Sequence, residues 1–249
     1  MTLYTEDLVK VYKNESQFDA MVYCANETVI FEINGNSYTR ISDENGVARM
    51  NINLIPGDYV IKTTYGGTTV ENTAKVLPTL IAQNLVKYFR NESQFYISLI
   101  DGAGKAVPNV NITMNINGVF YNRTTNENGT ARLNINLEPG EYILTAIDPL
   151  TGLEISYNIT VLPVLTADDL NMIYLDGSQF AATLVDGKGN ALKGVNITFN
   201  INGVFYNRTT DENGIAHLNI RLMTGEYIIT SQYGQAAISN KITITAKEE

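Results

Sequence analysis

The chain is built from three copies of one unit, and this repetition constrains its fold more than any other feature. Ser-Gln-Phe occurs at Ser16–Phe18, Ser93–Phe95 and Ser178–Phe180, and Glu-Asn-Gly follows in every copy. Asn111–Tyr121 returns as Asn196–Tyr206 with one change. A unit of about 80 residues can fold as a domain, unlike the 20–50-residue units of solenoids, which need their neighbours. The predicted domains are repeat 1 at 1–79, repeat 2 at 80–164 and repeat 3 at 165–249.

Apolar and polar residues alternate with a period of two in every copy. Phe95, Ile97 and Leu99 are separated by polar or aromatic positions, and the same alternation follows Asn126–Gly129. This period is typical of strands with one buried face. Asn-Gly pairs such as Asn117–Gly118 predict tight hairpin turns, because both residues tolerate positive φ. No capped segment with helical periodicity occurs, so the pattern predicts an all-β fold.

A tyrosine follows a glycine near the start of a late strand in every copy, at Tyr59, Tyr142 and Tyr227. This arrangement resembles the tyrosine corner of immunoglobulin-like sandwiches, in which the phenol binds backbone. The alternative is a tyrosine selected for β propensity alone. About seven short strands per copy favour a Greek-key sandwich over a closed barrel. The predicted fold is three tandem immunoglobulin-like β-sandwich domains.

The joints between copies are Val76–Leu80 and Val161–Leu165. Both are short, contain proline and lack Gly/Ser runs, so they are expected to be semi-rigid. The sequence therefore predicts a monomeric, extended rod.

Composition excludes several classes of function. Lys plus Arg is 17 and Asp plus Glu is 26, which gives a net charge of −9. Nucleic-acid modules concentrate positive charge, and anionic headgroups repel an acidic surface. No apolar run has the ~18 residues that a membrane helix needs. One Cys and one His leave little for nucleophilic or metal chemistry. We therefore expect no enzyme activity, no cofactor, no metal, no nucleic-acid partner and no membrane insertion by this segment.

Four side chains are candidates for chemical sites, but the sequence favours a structural role for each. Cys24 is expected to be a buried or half-buried filler, because its own copy offers no His or basic neighbour. His217 takes the place of an arginine in the other copies and is expected to face solvent. Asp101 and Asp186 begin Gly-containing segments that faintly resemble calcium loops but lack the further carboxylates such a site requires.

Lys10 and Lys87 align on the opening strand and could donate an internal Lys–Asn amide bond of the kind found in some surface sandwiches. The third copy has Met172 at this position, which cannot react. The sequence favours exposed lysines on an edge strand.

Nine Asn-x-Ser/Thr acceptor motifs occur, more than the composition predicts by chance. Glycosylation of a solvated face and an Asn-rich composition explain them equally well at this point. The candidate glycosylation sites are Asn14, Asn26, Asn91, Asn111, Asn122, Asn128, Asn158, Asn196 and Asn207.

The repeated motif Asp/Asn-Leu…Ser-Gln-Phe…Asn-Ile-Asn-Gly-Val-Phe-Tyr…Glu-Asn-Gly…Pro-Gly-Glu-Tyr resembles the immunoglobulin-like repeats of adhesin-like surface proteins of methanogenic archaea. It is also similar to the modules of bacterial invasin and intimin stalks. The resemblance implies secretion, an extracellular location and anchoring to the cell surface. It also implies an excerpt from a longer array, with signal peptide and anchor outside it. It brings no catalytic residue.

Two functions are compatible with these observations. The first is a spacer whose repeats project a binding region for cell adhesion. The second is a binding module that itself recognises glycans or proteins of other cells. Phe120 and Phe205 are the candidate ligand-facing aromatics, because the first copy has Ser37 there and Tyr38 at the following, inward position.

Overall fold

The computed structural model describes residues 2–247, and every helix or strand element in this range is a β-strand. None of these residues forms a helix that could cross a membrane. The predicted all-β class is confirmed.

Each repeat contains eight strands, one more than the sequence pattern predicts. Repeat 1 has β1 (Tyr4–Thr5), β2 (Leu8–Val11), β3 (Gln17–Met21), β4 (Thr28–Ile33), β5 (Asn36–Ile41), β6 (Val47–Asn51), β7 (Gly57–Tyr65) and β8 (Thr68–Leu77). Repeat 2 has β9 (Leu80–Ala82), β10 (Leu85–Tyr88), β11 (Gln94–Leu99), β12 (Asn111–Ile116), β13 (Val119–Thr124), β14 (Thr130–Asn134), β15 (Gly140–Ile147) and β16 (Glu154–Leu162). Repeat 3 has β17 (Leu165–Ala167), β18 (Leu170–Ile173), β19 (Gln179–Leu184), β20 (Asn196–Ile201), β21 (Val204–Thr209), β22 (Ile215–Asn219), β23 (Gly225–Tyr233) and β24 (Ala236–Thr245).

The additional strand arises because the opening segment of each repeat changes sheet. In repeat 1, β1 belongs to one sheet and β2 to the other. Asp7 lies at the break, and its Oδ1 accepts a hydrogen bond from a backbone N–H of the last strand at 2.8 Å. Asn84 and Asp169 make the same bond at the same distance. A short polar side chain at this position therefore fixes where the segment crosses.

Two compact units are formed. The first comprises residues up to Gln83, Tyr96–Leu133 and Leu144–Tyr157. The second comprises Asn84–Phe95, Asn134–Ile143 and the residues from Asn158 onward. The first unit holds the complete sandwich of repeat 1, and the second holds that of repeat 3.

Six sheets form three sandwiches with one topology. The three-stranded sheets have the orders β1-β3-β6, β14-β11-β9 and β17-β19-β22. The five-stranded sheets have the orders β2-β8-β7-β4-β5, β10-β16-β15-β12-β13 and β18-β24-β23-β20-β21. In each five-stranded sheet the last two strands of the repeat lie beside its fourth and fifth strands. This is the order of the G, F, C and C′ strands of immunoglobulin domains. The sandwiches are immunoglobulin-like, as the sequence predicts.

The cores of repeats 1 and 3 contain the same aromatic contact. Phe18 and Phe31 meet edge to face with centroids 5.9 Å apart, and Phe180 and Phe199 do so at 5.8 Å. All four rings are at most 1% exposed. The Phe of the Ser-Gln-Phe motif therefore joins the two sheets across the core, where such ring pairs add to area burial.

The Asn-Gly pairs form two-residue hairpin turns. Asn34, Asn117 and Asn202 have φ of 50°, 53° and 52°, and the glycine that follows each also has positive φ. Positive φ at both central residues defines the type I′ turn. This turn places Ile116 opposite Val119 and sets the register of β12 against β13.

Candidate functional site

The outward side of the hairpin β12–β13 is polar except for one ring. Residues directly opposite one another in an antiparallel pair lie on the same face. The outward pairs are Asn115 with Phe120, Thr113 with Asn122, and Asn111 with Thr124.

One line of side chains continues across the sheet from Phe120. Thr145 of β15 lies opposite Asn115. The Thr145 Oγ1 lies 3.2 Å from the Ser156 Oγ on β16. We call these four residues, Phe120, Asn115, Thr145 and Ser156, the Phe120 row.

Repeat 3 carries the same line of residues. Phe205 lies opposite Asn200, Asn200 opposite Thr230, and Thr230 opposite Ser239. The two hydroxyl oxygens of Thr230 and Ser239 are 3.0 Å apart. We call these four residues the Phe205 row. The register thus reproduces one arrangement on two sandwiches.

Paired Asn-x-Thr motifs flank each row. The Thr113 Oγ1 donates to the Asn122 Oδ1 at 2.8 Å, and the Thr124 Oγ1 donates to the Asn111 Oδ1 at 2.6 Å. In repeat 3, the corresponding pairs are Thr198 with Asn207 and Thr209 with Asn196, both at 2.8 Å. Each bond uses the amide oxygen, so the N–H donors of the amide are not consumed by it. The cross-strand pairs therefore hold two amides in fixed positions on the outward face of each of the two sheets.

Both phenylalanines are largely exposed. Phe120 and Phe205 each retain 67% of their surface. The tyrosines that follow them, Tyr121 and Tyr206, are half-buried and lie opposite buried Met114 and Phe199.

The first repeat differs at this row. Its equivalents are Ser37, Glu32, Lys62 and Glu71, in the same register. Lys62 and Glu71 form an ion pair at 2.8 Å. The first repeat therefore presents charge where the other two present an aromatic ring and amides.

Two sequons are hydrogen-bonded to backbone through the nitrogen that would carry a glycan. The Asn14 Nδ2 donates to the Gly102 carbonyl at 2.8 Å, and its Oδ1 accepts from the Ser16 N–H at 2.8 Å. The Asn91 Nδ2 donates to the Gly187 carbonyl at 2.5 Å. A glycan attached to either nitrogen would need the space in which that nitrogen now contacts a backbone carbonyl.

The remaining sequons lie at exposed positions. Asn26 occupies a turn with φ of 61°, and Asn128 follows β13 in the loop before β14. Asn158 lies on β16 and is exposed. Glycosylation of the nine sequons stays a prediction.

The three candidate corner tyrosines make one kind of bond. The Oη of Tyr59 donates to the carbonyl of the residue four positions earlier at 2.7 Å. Tyr142 and Tyr227 do the same at 2.8 and 3.0 Å. The bond closes the turn that precedes each seventh strand.

We expect Tyr142→Phe to lower the free energy of unfolding of repeat 2 by about 0.5–1.5 kcal/mol, because it removes one hydroxyl and one hydrogen bond. Urea denaturation followed by circular dichroism measures this change. An unchanged midpoint would show that the phenol does not stabilise the corner.

The expectation of exposed lysines is wrong. Lys10 and Lys87 are both 5% exposed. The Lys10 Nζ donates to the carbonyls of Ser16 and Ile52 at 2.7 and 3.0 Å. Lys87 makes the same two bonds in the second repeat. Both lie on edge strands, but the long side chain runs inward and satisfies two backbone acceptors. Burial lowers the pKa of both amines.

This burial predicts a pH dependence of stability. Because the pKa of Lys10 in the folded chain is below its ordinary value of 10.5, the unfolded chain binds more protons just below that pH. The contribution of Lys10 to the free energy of unfolding therefore rises as the pH approaches 10.5. We expect the unfolding free energy of the parent, relative to Lys10→Met, to increase between neutral pH and pH 10.5. Urea titrations of both proteins at each pH measure it, and a constant difference would contradict a lowered pKa.

The other candidates occupy loops or outward strand positions. Cys24 is exposed, so the expectation of a buried or half-buried filler is wrong. It lies in the turn after β3, beyond the last inward residue, Val22. His217 is exposed on β22. The Oδ1 atoms of Asp101 and Asp186 accept backbone N–H bonds within their own turns. Among residues 2–247, no three His, Cys, Asp or Glu side chains form a group that could hold a metal ion.

The chain is similar to known proteins in structure, whereas the comparisons of sequence found no match. No known family's sequence model matches the chain, and no curated protein matches it in sequence. The I9–I11 tandem of titin is 17% identical, with a TM-score of 0.34, over 99% of this chain and all of that one. Invasin, described as a bacterial integrin-binding protein, is 18% identical with a TM-score of 0.29, over 99% of this chain and 60% of that one. A calcium-stabilised, ice-binding adhesin of an Antarctic bacterium is 16% identical with a TM-score of 0.22, over 99% of this chain and 74% of that one. Nothing about activity or partners follows from likenesses at this level.

Proposed function

We propose that this chain is a segment of a non-enzymatic cell-surface stalk of the adhesin type, in which the repeats are spacers that transmit tension to a binding region. The observation that carries the proposal is the parallel pairing of a strand near the start of every repeat with the last strand of that repeat. The second strand of each repeat pairs with the eighth in parallel, in all three copies.

The register of these pairs is the same in each repeat. Leu8 lies opposite Ala74, Leu85 opposite Ile159, and Leu170 opposite Ile242, and each ladder continues for four residues. A further backbone bond extends every ladder, as from the Tyr174 N–H to the Thr245 carbonyl at 2.9 Å. Because the two strands run in one direction, the chain begins each sandwich at one end of the pair and leaves it at the other.

This geometry suits a chain under tension. A pull on the two ends of a repeat moves parallel neighbours past each other, so every hydrogen bond of the ladder is strained at once. Antiparallel end strands would instead open one bond at a time. A spacer between a cell and its adhesive tip needs this resistance, whereas an isolated binding domain does not.

The sequence motifs refine the proposal. Their resemblance to adhesin-like proteins of methanogenic archaea supports an extracellular place in a longer, anchored array. The acidic composition, with a net charge of −9, keeps such repeats soluble and apart from one another. The partners of the proposed stalk are surface glycans or proteins of other cells.

Labelling of intact cells tests the location. Antibodies raised against this chain should bind whole cells that produce the natural protein, and brief protease treatment of those cells should remove the signal. Permeabilised cells serve as the control for total protein. Labelling that requires permeabilisation would contradict a surface stalk.

A further inference from the structure

We propose that the outward faces of the five-stranded sheets in repeats 2 and 3 bind an uncharged polysaccharide, with Phe120 and Phe205 as the rings on which sugars stack. This activity goes beyond the spacer function and is independent of it. It rests on the kinds of side chain that the Phe120 and Phe205 rows contain.

Each row combines two kinds of group that a sugar requires. A sugar ring has a face of C–H groups and an edge of hydroxyls. The exposed ring of Phe120 offers a flat apolar surface for the first. Beside it, the amide of Asn115 and the hydroxyls of Thr145 and Ser156 offer donors and acceptors for the second. A single exposed phenylalanine needs no explanation, but a ring at the end of the same polar row in two sandwiches does.

The polar groups beside the rows are fixed before a ligand arrives. Asn122 and Asn111 are held by Thr113 and Thr124, at 2.8 and 2.6 Å. The short strands and paired side chains lose little conformational freedom when a ligand binds. Preorganised amides of this kind favour recognition of hydroxyls on a flat surface.

Charge identifies the class of ligand. The two rows and the cross-strand Asn–Thr pairs beside them contain no ionisable side chain. Arg123 and Arg208, the middle residues of two of the motifs, lie on the other face, over the rings of Tyr121 and Tyr206.

An anionic polysaccharide would find no cation within the rows. Lys241, further along the outward face of repeat 3, is already ion-paired with Glu226 at 2.6 Å, and the net charge of −9 would repel such a ligand. A protein partner would bury a more apolar centre than one ring and one exposed isoleucine, Ile143 in repeat 2 and Ile228 in repeat 3, provide among the polar groups. An uncharged sugar chain needs neither a cation nor a large apolar centre, so it fits this surface.

The size of the face agrees with a short stretch of polysaccharide. Each row crosses four strands, which at about 4.8 Å between neighbours spans roughly 14 Å. The first repeat has Ser37, Glu32, Lys62 and Glu71 in this place, so we expect it to contribute no binding.

Affinity electrophoresis of the whole chain tests the proposal. The chain is run in native gels that contain a β-glucan, a mannan or a galactan, with alginate as the anionic comparison. The chain is produced in a host without N-glycosylation, so that the sequon amides beside the rows carry no glycan, and mass spectrometry checks its mass. We expect retardation by at least one neutral polysaccharide and none by alginate. Absence of retardation in all three neutral gels, or retardation by alginate alone, would overturn the proposal.

The variants use residues that the first repeat already tolerates. Phe120→Ser with Phe205→Ser installs the residue of Ser37, and we expect it to weaken binding at least about tenfold. Asn115→Glu with Asn200→Glu installs the residue of Glu32, and should weaken binding while both rings remain.

The matched control is Val119→Ala with Val204→Ala. These valines are 50% and 51% exposed on the same edge strands but point to the other side. It should bind as the parent does, and thermal melts establish that every variant is folded. Equal binding by the serine variant and the parent would place the site elsewhere and overturn the proposal. Neither result bears on the mechanical test of the spacer.

Discussion

Leu218→Ala is expected to unfold repeat 3 at a temperature well below that of repeats 1 and 2. The side chain is 2% exposed and belongs to the core that also holds Phe180 and Phe199. Truncation of a buried leucine costs about 2–5 kcal/mol, because packing is lost and a cavity remains. A domain of this size has about 4–12 kcal/mol of stability in total, so the loss is a large share of it. Differential scanning calorimetry of the whole chain measures the shift.

Ile228→Ala is the matched control for this experiment. Ile228 lies on the same sandwich but is 60% exposed, so we expect a change within about 0.5 kcal/mol. Loss of all transitions together in Leu218→Ala would contradict repeats that fold on separate cores.

Gly129→Ala is expected to destabilise repeat 2 by about 2–4 kcal/mol, through strain and steric clash together. Gly129 has φ of 70°, in the left-handed region that an alanine adopts only at a cost. A Cβ there would lie 2.6 Å from the Leu99 carbonyl oxygen. The Leu99 N–H also donates to the Gly129 carbonyl at 2.8 Å, so the turn cannot move away without breaking that bond.

Gly118→Ala measures the cost of the backbone conformation without a steric clash of the new Cβ. Gly118 has φ of 77° but its Cβ would have no atom within 4 Å, so only the conformational cost of about 1 kcal/mol is expected. Urea denaturation of both variants gives the difference. Equal losses would show that the contact with Leu99 is relieved by small movements of the turn.

Much of each repeat could be predicted because its signals are local. The alternation of Phe95, Ile97 and Leu99 is produced by the two faces of one strand. A two-residue Asn117–Gly118 turn permits only one register, which also places Asn122 opposite Thr113. The paired Asn-x-Thr motifs could therefore have been found from the hairpin alone, by counting outward from the turn.

The features that sequence reasoning missed depend on contacts distant in the chain. The parallel pairing of β2 with β8 joins residues more than 60 positions apart, and nothing local to either strand indicates it. The burial of Lys10 depends on the Ile52 carbonyl, a backbone group that any residue would supply. Amphipathic side chains of this length suit both an exposed and a buried position. The burial predicted for Cys24 is wrong because β3 ends at Met21, earlier than the apolar alternation suggests.

Single-molecule pulling between the chain ends tests whether the parallel end strands carry tension through each repeat. Every repeat should unfold as one event that releases about 250 Å of chain. Tyr174→Pro removes the N–H that binds the Thr245 carbonyl, and should lower the unfolding force of one event in three. Tyr174→Ala keeps this N–H and controls for the side chain.

Asn171→Pro is the control for proline itself. The Ile173 N–H binds the Asp176 carboxylate and not β24, so by the alternation along the strand the Asn171 N–H also points away from the ladder. We expect a lower unfolding force for Tyr174→Pro and a force equal to that of the parent for Asn171→Pro. Tyr174→Ala should lower the force only by the lost packing of its side chain, and so less than Tyr174→Pro does. Equal forces for Tyr174→Pro and Asn171→Pro would contradict tension carried through the parallel end strands.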